Sequence, residues 1–182
     1  MVQKVARVAV VIGHPRPASR THRVAARTGQ LLAERLYSGP DCCSCVDLAA
    51  LAPSLLDGRR AGTVAADALA TVASSRVVVL ASPTVRGAYA GLLKFFLDML
   101  PRPGLSGCVV VPMMTAGLPA HRYVVEMMLR PVLLELDAEV PAPGISVMES
   151  SLDHYDEVFE HWWNAYGCLL RRTVGAPAAV RC

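Results

Sequence analysis

Apolar residues in this chain gather in short unbroken runs, and between those runs they recur every three or four positions. Val5 to Ile12 is nearly continuous, broken only by Arg7, and Val77-Val78-Val79-Leu80 is a second such run. Strands covered by helices on both sides read this way, because neither face meets water. After the first run, Val24, Thr28, Leu31, Leu32, Arg35 and Leu36 recur near the helical period and mark one helix face. Leu92-Leu93, Phe95-Phe96-Leu97 and Met99-Leu100 do the same after the second. The pattern predicts strands at about 4–12, 43–48, 76–82, 106–112 and 138–147, and helices at about 19–37, 63–74, 90–100, 119–136 and 152–172.

Strand and helix alternate throughout, which predicts an α/β protein with a parallel sheet between two helical layers. Five strands and five helices suit a doubly wound, flavodoxin-like sheet of order 2-1-3-4-5, formed by a single domain over 1–174 with a disordered tail at 175–182. Ala49 to Gly62 has no clear period and contains Pro53, Asp57-Gly58 and Arg59-Arg60, which predicts a surface loop. The segment 119–136 is apolar around more than one face, more than packing against a sheet requires. A subunit interface or burial beneath the last helix accounts for the surplus. Pro131 within it predicts a kink or bulge.

Composition narrows the class. The 182 residues are 53% hydrophobic and 18% charged, enough for a dense core or a buried interface. No run reaches the roughly 18 apolar residues of a membrane span. Met1-Val2-Gln3-Lys4 leads straight into a strand without a secretory signal, so a cytoplasmic location is expected. A net charge of +3 without an aromatic-studded basic stretch argues against nucleic acid. Cys42, Cys43 and Cys45 crowd one segment, but no C-x-x-C pair exists, and no metal site is expected.

Loops at the carboxyl ends of strands bind ligands in such sheets, most of all at the point where strand order reverses. The first candidate is Gly13-His14-Pro15-Arg16-Pro17-Ala18-Ser19-Arg20-Thr21, where Ser19 is a plausible N-cap. Helix-start amides, hydroxyls and two arginines there suit a phosphate; an ordinary capped helix with solvated arginines is the plainer alternative. Neither the G-x-G-x-x-G pattern nor a Walker A loop is present. The second is Ser82-Pro83-Thr84-Val85-Arg86-Gly87-Ala88-Tyr89, whose Pro and small residues suit a wall for a flat ligand. The third, Pro112 to His121, offers amides and small side chains at Thr115, Ala116 and Gly117.

Three such loops resemble those of the NADPH-dependent FMN reductase family, most nearly its alkanesulfonate-monooxygenase-associated flavin reductases. The matching pieces are Gly13-x-Pro-Arg16-x-x-Ser19-Arg20-Thr21, Ser82-Pro83-Thr84 through Gly91-Leu-Leu-Lys94-x-x-x-Asp98, Thr115-Ala-Gly117-x-x-Ala-His121 and Leu129-Arg130-Pro131-Val132-Leu133. The resemblance implies that His14, Arg16, Ser19, Arg20 and Thr21 hold the phosphate of FMN. It implies that Pro83, Thr84, Val85, Arg86 and Gly87 line the isoalloxazine, with Thr115, Ala116 and Gly117 at its other edge. Tyr89, Lys94 and Asp98 would support the flavin loop and subunit packing. Three positions depart from the family: His14 stands where Ser is usual, Val85 where Tyr is frequent, and Met127 where an aromatic residue sits in a helical insertion.

The activity so implied is hydride transfer from NADPH or NADH to N5 of FMN, with reduced flavin passing to a flavin-dependent monooxygenase and the chain forming a homodimer or homotetramer. Such chemistry asks for stacking and positioning, and no catalytic acid, base or nucleophile is expected. Arg16, Arg86 and Arg122 are candidates for the 2′-phosphate of NADPH. Two further readings remain: a tightly FMN-bound reductase of quinones or azo compounds, and a flavin-binding protein without reductase activity.

Overall fold

The computed structural model describes residues 7–37, 39, 42–56 and 64–175. The expected tail lies outside them from 176 onward, as do the ends of some predicted elements. The main strands are β1 (Val8–Ile12), β2 (Cys43–Asp47), β3 (Val77–Val85), β5 (Val109–Ala116) and β6 (Ile145–Met148), with the two-residue β4 (Ala88–Tyr89) between β3 and β5 in sequence. Their order is β2-β1-β3-β5-β6, all parallel, while β4 pairs antiparallel with β3 off the main path. With that short hairpin set aside, the expected doubly wound order stands.

The helices are α1 (Arg20–Tyr37), α2 (Leu48–Leu56), α3 (Val64–Ala73), α4 (Gly91–Asp98), α5 (Arg130–Glu135) and α6 (Tyr155–Val174). Side chains alternate across each strand, and the sheet therefore feeds two cores. Val8, Val10 and Ile12 pack with α1 and α6, where Phe159, Trp162 and Trp163 lie. Ala9 and Val11 face α2 through α5, where Leu93, Phe96, Leu97 and Leu133 lie. Among the described residues no helix is long and apolar enough to cross a membrane.

The structure corrects five of the expected elements. β3 runs to Val85 and β5 to Ala116, so the second and third loops begin as strand and are shorter than expected. Part of the supposed surface loop is α2, hidden from the pattern by Pro53. The strand expected over 138–147 is regular only from Ile145, with an isolated bridge between Val109 and Glu139 before it. The long helix expected over 119–136 is broken into a 3₁₀ turn (Pro119–Tyr123), a π turn (Val125–Leu129) and α5.

That break accommodates Pro131, which falls in the first turn of α5, where its missing N–H costs no hydrogen bond. Arg130 beside it ties the helix to the sheet's far edge, donating to the carbonyls of Val140 (2.7 Å) and Ala142 (3.0 Å). Glu126 accepts from the Gly144 amide, and a Cβ at Gly144 would meet Val125 at 2.4 Å. On the outer side of the broken helix, Leu118, Tyr123, Met127, Met128 and Leu134 are exposed rather than packed beneath α6.

Candidate functional site

At the carboxyl edge of the sheet, β1 ends at Ile12 and the chain turns sharply at Gly13. The Gly13 amide donates to the carbonyl of Ala81 on β3 (2.8 Å), extending the parallel ladder one residue into the loop. A Cβ at Gly13 would lie 2.5 Å from that of Leu93 and 3.2 Å from the Ala81 carbonyl oxygen. Only glycine allows the first loop to press this closely on β3 and α4.

The loop then folds on its own side chains. His14, 9% exposed, accepts the Arg16 amide at its Nδ1 (2.9 Å). Because a backbone N–H can only donate, this bond leaves the ring proton of a neutral His14 on Nε2. Ala18 takes a left-handed conformation (φ 49°), a strained choice for a residue with a Cβ. Ser19 then caps α1 as expected, its Oγ accepting the His22 amide (3.1 Å). The amides of Arg20 and Thr21, at the very start of the helix, have no preceding turn to bond to, and the first turn carries no acidic residue. Those amides, the helix dipole and the Arg16 and Arg20 guanidiniums make the helix start attractive to an anion.

A cleft of about 450 Å³ opens there, within the range of small-molecule sites. Of the residues singled out from the sequence, His14, Arg16, Ser19, Arg20, Thr21, Pro83 and Thr115 line it together, joined by Pro17 and Ala18 of the same loop. Thr21 and Thr115 share a buried hydrogen bond between their hydroxyls (2.8 Å), locking the first loop to the end of β5. Pro83 pairs in register with Thr115 across β3 and β5.

The rest of the second loop is a hairpin standing beyond this cleft. Thr84 pairs with Tyr89 and Val85 with Ala88, while Arg86 (φ 52°) and Gly87 (φ 76°) make the turn. Two successive positive φ angles define the tight turn that matches the twist of paired strands. Buried Ser82 anchors the base of the hairpin, its Oγ accepting the Ala90 amide (2.8 Å) and donating to the Pro83 carbonyl (2.9 Å). Val85 and Arg86 are exposed at the tip. The Thr84 hydroxyl is buried and has no hydrogen-bond partner among the described residues, a polar atom that a ligand would satisfy. Ala116 is buried within β5, and Gly117 begins the turn after it.

Sequence reasoning missed Glu149 and Leu152, which line the same cleft from the turn after β6. The Glu149 carboxylate pairs with the Arg20 guanidinium at 2.9 Å, and its carboxyl carbon lies 3.8 Å from where a Cβ on Gly117 would be. Position supplies the signal that could have found it: Glu149 follows the fifth main strand at the sheet's carboxyl edge, where ligand-facing residues collect.

Beneath the cleft, Asp47 at the end of β2 reaches His22 (Oδ2 to Nδ1 3.3 Å), on the helix turn that Ser19 caps. Cys43, Cys45 and Asp47 alternate along this edge strand and share one face. Cys43 donates to Cys45, which lowers the Cys45 thiol to about 7 against the opposing effects of burial and Asp47. The same bond pushes the Cys43 thiol up.

The model of the family described as NADPH-dependent FMN reductase matches residues 6–153. An FMN reductase (NADPH) of Escherichia coli strain K12 is 34% identical over 114 residues, 55% of this chain and 58% of that protein. An NADH-dependent FMN reductase of Pseudomonas putida is 29% identical over 158 residues, 85% of this chain and 84% of that protein. The chain spans about half the length of the FMN reductase (NADPH) relatives it matches. Among solved structures, an oxidoreductase from Corynebacterium diphtheriae superposes with a TM-score of 0.74 at 22% identity, covering 94% of each chain, and shares the fold.

Proposed function

The chain belongs to the NADPH-dependent FMN reductase family, and from that premise we propose that it binds FMN with its phosphate in the cleft at the start of α1 and reduces it with NADPH or NADH. The observation that carries this reading is the convergence of His14, Arg16, Ser19, Arg20, Thr21, Pro83 and Thr115 on one anion-suited cleft at the sheet's switch point. The bound partners supply the redox chemistry, a hydride passing from nicotinamide C4 to flavin N5.

The protein's part is to bind and orient. The Arg20 and Thr21 amides and the Ser19 hydroxyl proton face the phosphate, and the Nε2 proton of His14 adds a donor where a serine is usual. The hairpin of β3 and β4 forms the wall beside the ring, with the unpaired Thr84 hydroxyl at its base as a polar contact. Val85 at the tip gives apolar surface but no stacking face, so ring binding leans more on the phosphate end. Arg86, exposed beside it, is an available cation for the 2′-phosphate of NADPH.

We assign the exposed Leu118, Tyr123, Met127, Met128 and Leu134 to self-association of the chain, since five large apolar side chains exposed within seventeen residues suit an interface better than open water. Delivery of reduced flavin to a monooxygenase in the cytoplasm completes the reading. The test is loss of NADPH absorbance with and without added FMN. Oxidation that needs FMN and saturates with it supports the proposal; none with FMN, FAD or riboflavin, under either nicotinamide, rejects it.

A further inference from the structure

A site built for a phosphate does not ordinarily carry its own carboxylate. Here Glu149 lines the same cleft as Arg16, Ser19 and Thr21, and it occupies one of the two guanidiniums there, Arg20. The pair is not a buried structural bridge, since the side chains of Arg20 and Glu149 are 63% and 48% exposed. Exposed ion pairs contribute little to stability, so the fold has small need of this one. The carboxylate lies beside Gly117, its carboxyl carbon 3.8 Å from where a Cβ there would be, an ordinary contact that does not force its position.

A flavin phosphate carries between one and two negative charges at neutral pH. Placed at the start of α1, it meets the Glu149 charge across the same cleft, and like charges repel there more strongly than in open water. Arg20 cannot serve both anions at full strength.

We propose that Glu149 is an affinity-setting residue that competes with the flavin phosphate for Arg20. Resting on the reading that this cleft takes FMN, the proposal gives the flavin the role of an exchangeable substrate. Binding requires Arg20 to turn from the carboxylate to the phosphate, and release is assisted when the carboxylate takes the guanidinium back. The effect is confined to the phosphate end and is blind to the isoalloxazine.

Quenching of flavin fluorescence, titrated for FMN and for riboflavin with the wild-type chain and Glu149→Gln, tests this. The glutamine keeps the shape and an acceptor for Arg20 but removes the charge. The expected result is FMN binding about tenfold tighter, a loss of roughly one unit charge of repulsion in a partly exposed cleft, with riboflavin binding unchanged. The gain should shrink in high salt. Unchanged or weaker FMN binding by the variant overturns the proposal, as does an equal change for riboflavin, which would mark a structural role. If the wild-type chain binds FMN no better than riboflavin, the phosphate reading of the cleft falls as well; if it prefers FMN and the variant does not tighten, the proposal alone falls.

Discussion

The hydroxyls of Thr21 and Thr115, 94 positions apart, meet at 2.8 Å in the buried floor of the cleft. Thr21 opens α1 and Thr115 nearly ends β5, so this bond holds the first and third loops in fixed relation. Both residues are almost fully buried, so water replaces a lost partner poorly. Thr115→Val should therefore strand the Thr21 hydroxyl and lower stability by about 1–3 kcal/mol, read from urea denaturation. Removing both hydroxyls together should restore part of that loss, because no polar group is then left unpaired. Additive losses would mean the two hydroxyls act independently.

Gly13 is where the first loop presses on β3 and α4. A methyl group there meets Leu93 at 2.5 Å, and the first loop must lift off α4 to admit it. Gly13→Ala should cost about 1–3 kcal/mol, as overpacking does in a filled core. Flavin binding should weaken too, since the loop that moves carries His14 and Arg16. A variant as stable as wild type in thermal unfolding would show that the loop has slack.

The hairpin wall depends on Ser82, whose Oγ accepts the Ala90 amide at 2.8 Å. Ser82→Ala leaves that amide without its acceptor and frees the base of the hairpin. Trypsin should then cut after Arg86, exposed at the turn, faster than in the wild-type chain. Equal cleavage rates would place the hairpin's rigidity elsewhere.

Much of this arrangement is legible in the chain and some is not. The unbroken runs at Val8–Ile12 and Val77–Leu80 are wholly buried because helices cover both sides, and they announced themselves as parallel strands. Ser19 announced the start of α1, and the cap is there. Strand ends were the weak point. Pro83 follows the end expected for one strand and Pro112 closes another, and proline suits a strand interior poorly, yet here pairing of β3 with β5 carries the ladder through both. Pro53 hid α2 in the same way. Glu149 was passed over for a different reason: its place after a strand marks the sheet edge, but its importance comes from Arg20, 129 positions away, and only the fold joins them.

The thiols of β2 give a pH-dependent signature. Cys45 is exposed and its thiol is held down to about 7 by the hydrogen bond from Cys43, the largest influence upon it. Since the thiolate is the nucleophile, alkylation of Cys45 by iodoacetamide should rise as pH climbs through about 7, well below the ordinary thiol range. Cys43→Ala removes the donor and should move that midpoint upward. Asp47→Asn should move it downward, because the carboxylate opposes the thiolate. Mass spectrometry of the labelled peptide reads all three, and an unchanged midpoint in Cys43→Ala would dismiss the thiol pair.

The central claim is that the start of α1 receives the phosphate of a flavin. A crystal structure of the chain with FMN tests it most directly. The account predicts phosphate density against the Arg20 and Thr21 amides and the Ser19 hydroxyl, with Arg20 turned away from Glu149. Phosphate density elsewhere on the molecule, with the Arg20–Glu149 pair intact, would contradict it.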